Sequence, residues 1–212
     1  MIEESRAALA NVKAAADTPP RGWPPGLIYI RAPVHSRALT NDAETLCSLF
    51  NVKDATSLSS RLRQVSRTGP SPTKIQAIKG PSHPAYGQNG LFASRSLPPG
   101  AHVLDYLGLY HLSAENDTDL TSDYDLALRD GSRCLYLGID ASKLGNEARM
   151  MNDYRGVASA PTCVFRTHTL NTGELRMGVF VVEDGKRKKG LAKGDEILVS
   201  YGKGFWKARQ SD

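Results

Sequence analysis

The chain has 212 residues, 40% of them hydrophobic and 23% charged, which allows one compact domain with an appended segment. Its net charge of +5 is too small to indicate a nucleic-acid partner, and no apolar run approaches the roughly 18 residues that cross a membrane. The three cysteines are widely spaced, which argues against a cysteine zinc site or a disulfide framework and favours a reducing compartment.

Residues 1–70 differ in pattern from the rest of the chain. Glu3 and Glu4, with no apolar stretch beside them, argue against a secretory signal and a mitochondrial presequence, so we expect a soluble intracellular protein. After a proline- and glycine-rich connection, two short helices are predicted, one capped by Asn41 or Asp42 and the other by Asp54. Their apolar stripes are Leu46, Leu49 and Phe50, then Leu58, Leu62 and Val65. We expect a small accessory segment that packs on the main body.

From Lys74 onward the pattern changes to short strands separated by turn residues. The predicted strands are Lys74–Ile78, Gly90–Arg95, His102–Leu109, Tyr124–Arg129, Cys134–Ile139, Thr162–His168, Leu175–Val182 and Glu196–Ser200. One helix is predicted in this half, at Gly145–Met151. Because strands and helices do not alternate, a doubly wound parallel sheet is disfavoured. We expect a mostly β (α+β) fold of several small curled sheets.

Two further patterns carry little chemistry. The histidines are scattered without the spacing of metal ligands, at His35, His83, His102, His111 and His168. The sequence therefore predicts no metal site. The basic run Lys186–Lys189 could be a nuclear address or a grip on an acidic surface, but it is more typical of a solvated loop.

Three separated segments carry the strongest functional signal. They are the glycine-rich turn and strand Gly87–Ala93 with the turn that follows it, then Asn146–Asp153, then Gly194–Gly202. In this order and spacing they resemble the SET-domain family of protein-lysine methyltransferases. Asn146–Asp153 is similar to the family's Arg-Phe-Ile-Asn-His stretch, and Gly194–Gly202 to its Gly-Glu-Glu-Leu-x-x-x-Tyr-Gly segment. Pro161–Val164 falls where the family has a Pro-Asn-Cys run.

The resemblance implies a SET domain over residues 71–212 with a knot-like carboxyl end, and a variable insert over residues 111–145 that lines a peptide groove. It implies S-adenosylmethionine as the cofactor and methyl transfer to a lysine side chain of a partner protein, with a basic histone tail as the expected substrate. An acidic surface on the insert suits such a tail, although a solvated loop explains it as well. Its residues are Asp117, Asp119, Asp123 and Asp125.

The predicted cofactor site begins at the glycine-rich turn. Glycines let backbone groups approach a ligand closely, although an ordinary turn before a strand explains the pattern too. The resemblance implies that backbone groups of the turn hold the methionine end of the cofactor, at Gln88, Asn89, Gly90 and Leu91.

Asn152 would either cap the predicted helix or, as the resemblance implies, bond the cofactor, with Arg149 one helical turn before it. Asp153, the third predicted contact, stands where the family has histidine. An ionised carboxylate accepts hydrogen bonds but cannot donate them, whereas a neutral imidazole does both. Phe205 and Trp206 would cover the adenine by stacking or pack as a hydrophobic tail. The sequence does not decide between these two roles.

Tyr201 and Tyr124 are the predicted catalytic residues. Lysine has a pKa of about 10.4, so it must lose a proton before it can attack a methyl group. A narrow apolar channel favours the neutral amine, and a tyrosine hydroxyl can orient it without competing as a base. The resemblance implies these roles for both tyrosines, and Tyr154 and Tyr136 are weaker candidates. Val199, where some family members carry an aromatic residue, leaves the number of methyl groups open.

Two other functions compete with the enzyme. Asp153 motivates a SET-like module that binds a peptide without turnover. A basic nucleic-acid binder rests only on the net charge and the Lys186–Lys189 run, and it lacks the aromatic residues of a single-strand platform. Direct nucleic-acid binding and membrane binding are therefore not predicted. The resemblance to chromatin-modifying enzymes favours the nucleus, with the cytoplasm as the alternative.

Overall fold

The computed structural model describes residues 17–63, 66–183 and 190–208. Val65 and the Lys186–Lys189 run, both singled out above, lie outside the described residues. The strands are β1 Ile28–Tyr29, β2 Val34–His35, β3 Thr73–Ala77, β4 Asn89–Ala93, β5 His102–Asp105, β6 Leu109–Leu112, β7 Asp125–Asp130, β8 Leu135–Asp140, β9 Leu144–Gly145, β10 Asn152–Asp153, β11 Cys163–Thr169, β12 Leu175–Val181 and β13 Leu198–Val199. The α-helices are α1 Arg37–Asn41, α2 Ala43–Phe50, α3 Ala55–Arg63 and α4 Gly202–Ala208. Short 3-10 turns cover Gly131–Arg133 and Glu147–Met150.

The strands form several small sheets, and the predicted mostly β fold is confirmed. One sheet has the order β11-β12-β5 and another the order β2-β6-β8-β7, while β1-β9, β3-β4 and β10-β13 are two-stranded. The antiparallel pairs β3-β4, β7-β8 and β11-β12 join strands that are neighbours in sequence. In the described part of the chain, no helix has both the length and the apolar character that a membrane crossing requires.

The two predicted N-terminal helices form with their predicted caps. The Asp42 carboxylate accepts from the Thr45 backbone N–H at the start of α2, and Asp54 accepts from Ser57 N–H at the start of α3. An N-cap acceptor satisfies a backbone donor that the first helical turn leaves unpaired. The sequence analysis missed α1, whose cap is Ser36.

Residues 17–63 are joined to the main body by strands as well as by side chains. β1 pairs in parallel with β9, and β2 pairs in parallel with β6. The apolar side chains of α1, α2 and α3 enter the same core cluster as those of β8. The predicted boundary near residue 70 stays a prediction, but this segment completes two sheets of the body.

Two predicted elements need correction. The strand predicted at His102–Leu109 is two strands in different sheets, because the chain turns between β5 and β6 at Tyr106–Gly108. A Cβ at Gly108 would collide with the Asp140 carbonyl, so only glycine allows this crossing. The helix predicted at Gly145–Met151 is a strand followed by one 3-10 turn.

The buried Asn146 side chain explains the second correction. Its Nδ2 donates to the Asp105 carbonyl at 2.8 Å, and its Oδ1 accepts from Leu107 N–H at 3.2 Å. These bonds hold the start of the predicted helix against the turn that leaves β5, while Gly145 pairs with Tyr29. Only Glu147–Met150 remains free to coil.

The carboxyl-terminal strand β13 lies between two earlier parts of the chain. On one side it pairs with β10, and Tyr154 N–H donates to the Val199 carbonyl at 3.0 Å. On the other side, Thr162 N–H donates to the Leu198 carbonyl at 2.9 Å. Both ends of the loop over residues 154–161 are therefore bonded to β13. This arrangement agrees with the knot-like carboxyl end that the resemblance implied.

Candidate active site

Two of the three sequence motifs meet in the β10-β13 pair. Asn152 lies opposite Leu198 and Asp153 opposite Val199, in parallel register. This register brings the second and third motifs side by side. After β13 and Ser200, the chain places Tyr201 directly beside Asp153.

Asp153 holds the last motif in place. One carboxylate oxygen, Oδ2, accepts from Tyr201 N–H at 2.7 Å and from the Trp206 indole N–H at 3.3 Å. The other, Oδ1, accepts from the backbone N–H and the guanidinium of Arg155. Burial alone would raise the pKa of Asp153, but these N–H donors and the Arg155 charge hold it below its ordinary value. The carboxylate is therefore ionised and occupied by protein donors.

The Tyr201 hydroxyl points back to the second motif. It donates to the Met151 carbonyl at 2.6 Å, so the residue is held at both its backbone and its side chain. Burial raises the pKa of this hydroxyl well above its ordinary value, and the nearby Tyr124 hydroxyl and Asp153 carboxylate raise it further. Tyr201 stays neutral across the physiological range, yet the residue is 39% exposed and accessible from solvent.

Tyr124, the second predicted catalytic residue, lies just before β7 and is 38% exposed. The Arg149 guanidinium lies over its ring, 4.1 Å from the ring centroid, and Arg149 Nε donates to the Ala141 carbonyl at 2.8 Å. A cation over an aromatic face is attracted by the ring's quadrupole. Arg149, predicted as a cofactor contact, is therefore placed where it orients Tyr124.

Tyr106 is a site residue that the sequence analysis missed. Its hydroxyl donates to the Tyr124 carbonyl at 2.7 Å, and the side chain is buried. Burial raises the pKa of Tyr106 above its ordinary value, and Tyr201 lies close enough to raise it further. Gly108, two residues after Tyr106, was the feature of the sequence that could have revealed it. A glycine there indicates that the strand ends before it, which places Tyr106 in the connection between β5 and β6.

The glycine-rich turn lies against the second and third motifs. Asn152 Nδ2 donates to the Asn89 carbonyl at 3.4 Å and to Glu196 Oε1 at 2.9 Å. A Cβ at Gly90 would lie 2.8 Å from the same Glu196 oxygen, so the glycine is what allows this approach. His83 Nε2 lies 3.1 Å from the other oxygen, Oε2. His83 and Glu196 were not predicted as site residues.

Several backbone groups of the turn already have partners. The Gln88 carbonyl accepts from Ile78 N–H at 2.7 Å, and the Leu91 carbonyl accepts from Ile197 N–H at 2.8 Å. Each carbonyl oxygen keeps a second lone pair for a ligand. Gly87 has a φ of +81°, which favours glycine, and no atom lies within 4 Å of where its Cβ would be. The turn is thus open at Gly87 and closed at Gly90.

Aromatic residues of α4 complete the cluster. The Phe205 ring lies 4.8 Å from that of Tyr201 and 5.4 Å from that of Trp206, in edge-to-face contacts. Among the weaker candidates, Tyr154 lies next to the site, with its ring 5.0 Å from the Arg155 guanidinium. Tyr136 instead lies on β8 with the Arg129 guanidinium over its ring. Val199 is fully buried.

No family model matches the chain, and no curated protein matches it. Among solved structures, it is similar to ctPRC2 in an autoinhibited conformation bound to S-adenosylmethionine, with 19% identity and a TM-score of 0.47 over 68% of this chain and 17% of that chain. It is also similar to KRYPTONITE in complex with mCHH DNA, an H3(1-15) peptide and SAH, with 16% identity and a TM-score of 0.43 over 65% of this chain and 24% of that chain. The chain therefore spans about a quarter or less of the length of either structure.

Proposed function

We propose that the chain is a SET-domain methyltransferase that transfers a methyl group from S-adenosylmethionine to a lysine side chain of a partner protein. The observation that carries the proposal is the convergence of the three motifs. Asn152 bonds to the glycine-rich turn, and Tyr201 bonds to both Met151 and Asp153. These contacts join residues 48 to 63 positions apart in the chain, and separate surface turns would have no reason to make them.

The residues around the turn fit the methionine end of the cofactor. Asn152 directs its Nδ2 to Glu196 and Asn89, and within the described residues its Oδ1 has no hydrogen-bond donor. An amide oxygen that accepts no hydrogen bond suits an ammonium group, and the open side of Gly87 leaves room for it. The chemistry that S-adenosylmethionine supplies when bound is an electrophilic methyl group on a positively charged sulfur.

Tyr201 and Tyr106 would orient the substrate amine. Both hydroxyls donate their protons to backbone carbonyls, so each oxygen keeps its lone pairs as acceptors. An amine that donates N–H to such an oxygen points its own lone pair away from that oxygen. Because both tyrosines resist ionisation, neither becomes an anion that would hold the lysine as an ammonium. Most of the rate gain would come from positioning.

Asp153 serves this proposal as an anchor in place of the family's histidine. Its oxygens fix the backbone of Tyr201 and the indole of Trp206, so the substitution does not by itself argue for an inactive module. Whether Asp153 also touches the cofactor stays a prediction. The rival, a module that binds peptide without turnover, differs in one measurable respect, since it would take up no S-adenosylmethionine.

The test compares Tyr201→Phe with the wild-type chain. The variant should bind S-adenosylmethionine with unchanged affinity, while methyl transfer falls on the order of 100-fold, because only a positioning hydroxyl is removed. Tyr86→Phe is the matched control, since Tyr86 is 59% exposed and has no assigned role. Wild-type turnover in Tyr201→Phe would contradict the role assigned to Tyr201.

The proposed substrate is a basic histone tail, which also implies a nuclear location. The acidic insert supports this weakly, because its aspartates already have partners within the chain. Asp117 accepts from Ser36 and Leu112, Asp119 from Thr121, and Asp125 pairs with His111. Labelled S-adenosylmethionine incubated with core histones and with a whole-protein extract would identify the substrate. Peptide binding without cofactor uptake would favour the rival.

A further inference from the structure

Three side chains that the sequence analysis did not group meet on the β11-β12-β5 sheet. Asp105 Oδ1 lies 2.7 Å from His168 Nε2 and 2.9 Å from His102 Nε2. The three candidate ligand atoms all lie within 4.8 Å of one another. His102 and Asp105 belong to β5, and His168 belongs to β11, with β12 between them.

The middle strand is shaped to let His168 reach across it. Gly178 of β12 lies opposite Asp105, and a Cβ there would come within 2.9 Å of the His168 ring. Glycine therefore clears the path between the outer strands. The Phe180 ring packs against both imidazoles, with centroids 5.0 Å from His102 and 5.6 Å from His168. The two rings are held in their positions by an apolar wall.

We propose that His102, Asp105 and His168 form a binding site for a divalent transition-metal ion of the Zn²⁺ class. Two imidazole nitrogens and one carboxylate oxygen are ligands that such ions prefer, with water in the remaining position. The side chains are graded in exposure, at 42% for His102, 25% for His168 and 4% for Asp105. The cluster is anchored at its carboxylate and open to solvent at its imidazoles, which gives an ion a route of entry.

The surroundings of Asp105 favour its use as a single-oxygen ligand. Arg176 Nη1 lies 3.7 Å from the other oxygen, Oδ2, which leaves Oδ1 to face the imidazoles. The Arg176 charge is itself offset by Glu174, which accepts from it at 2.6 and 2.9 Å. A neighbour that orients a ligand in this way is typical of metal sites.

Metal binding requires only that the imidazole protons move. As hydrogen-bond donors to Asp105, both imidazoles carry a proton on Nε2. When that proton resides on Nδ1 instead, the Nε2 lone pair is free for an ion. The ion takes the place of two hydrogen bonds that converge on one oxygen.

The experiment uses the full chain without an affinity tag, stripped with a chelator and dialysed. Zn²⁺ is titrated by calorimetry, and Co²⁺ by its visible absorption, which reports coordination geometry. One ion should bind per chain, with a rise in the unfolding midpoint. His102→Ala should weaken binding about tenfold or more, since it removes one ligand. It is preferred to His168→Ala because its ring is more exposed and it should fold normally.

Arg166→Ala is the matched control. Its guanidinium lies 4.0 Å from the centre of the Phe180 ring on the same sheet, but it offers no metal ligand, so binding should be unchanged. Absence of saturable binding in the wild-type chain would overturn the proposal. Equal affinity in the His102→Ala and wild-type chains would do the same. Neither result bears on the methyl-transfer assay, because no ligand lies among the proposed catalytic residues.

Discussion

Asp153 and Asp105 are both buried, and each holds together segments that lie far apart in the chain. Asp153 is bonded by backbone N–H groups, an indole and a guanidinium, none of which gives up its proton at physiological pH. Asp105 is bonded by two imidazoles, whose nitrogens can exchange a proton for a metal ion. An aspartate is thus a permanent anchor at position 153 and a candidate metal ligand at position 105, because its hydrogen-bond donors differ between the two places.

The guanidinium beside each carboxylate differs as well. The Arg155 side chain is 38% exposed, whereas that of Arg176 is fully buried between Glu174 and Asp105. Water can solvate the Arg155 guanidinium, but it cannot reach that of Arg176. The two regions should therefore respond very differently to loss of the arginine.

The largest expected effect is on Arg176→Leu. It leaves two buried carboxylates without their counter-charge and should lower the free energy of unfolding by about 3–5 kcal/mol. Arg155→Leu, the matched change at the exposed pair, should cost about 1 kcal/mol or less. Urea denaturation of both variants measures the difference.

A double variant guards against failure of Arg176→Leu to fold. Glu174→Leu combined with Arg176→Leu removes one unpaired charge together with its partner, so it should recover part of the lost stability. Equal costs at Arg155 and Arg176 would mean that burial does not distinguish the two regions.

The second prediction concerns acid stability near Arg176. Burial and, to a smaller extent, the Arg176 charge together lower the pKa of His35 to about 4. In the unfolded chain His35 takes up a proton near pH 6.5, whereas in the folded chain it stays neutral down to about pH 4. Stability is therefore complete above pH 6.5 and should fall by about 3 kcal/mol as the pH drops from 6.5 to 4.

His35→Phe should abolish this loss, because phenylalanine does not titrate and retains a ring beside Phe50 and Tyr110. The Asp153 region gives a control within the same experiment. Because the pKa of Asp153 is lowered, this carboxylate stabilises the folded chain at every pH above the ordinary pKa of aspartate, about 3.9. That stabilisation is lost only at lower pH. Denaturation midpoints at pH 7.5, 5.5 and 4.5 separate the two, and an unchanged acid loss in His35→Phe would contradict the assignment.

Features fixed by neighbouring residues could be predicted from the sequence. The hairpin strands β7-β8 and β11-β12 lie within two residues of prediction, because alternation and turn residues are local signals. The caps Asp42 and Asp54 are local for the same reason. The two-residue strands β1, β2, β9 and β10 were missed, because each is too short to show a pattern and exists only through its distant partner.

The candidate site shows the same limit, because distant contacts place its residues. Asn152 and Tyr201 were predicted through a family resemblance, since nothing in their own neighbourhoods indicates that they meet. Tyr106 was missed because the strand appeared to continue past it, and the crossing at Gly108 depends on the Asp140 carbonyl. The donors that surround Asp153 come from residues 155, 201 and 206, so its role as an anchor was not visible in the motif.

The third prediction tests Asp153 as an anchor. Asp153→Asn keeps the shape but replaces one acceptor oxygen with an NH₂ group, which then faces N–H donors. It should lower the free energy of unfolding by about 2 kcal/mol and reduce methyl transfer, since Tyr201 loses its backbone partner. Asp119→Asn alters an aspartate bonded to Thr121 of its own exposed loop and to Lys143, and should leave the unfolding midpoint unchanged. Full activity in Asp153→Asn would show that Tyr201 is positioned without it.

The smallest expected effect separates the two roles left open for Trp206. Trp206→Phe removes the 3.3 Å bond from the indole to Asp153 but keeps an aromatic face, so stability should fall by less than about 1 kcal/mol, with cofactor affinity nearly unchanged. If the ring stacks on adenine, Trp206→Ala should weaken S-adenosylmethionine binding by about 1–3 kcal/mol, measured by calorimetry. If α4 only packs as a tail, Trp206→Ala and Trp206→Phe should bind the cofactor alike and differ only in stability. The main role of Trp206 would then be the hydrogen bond that its indole N–H donates to Asp153.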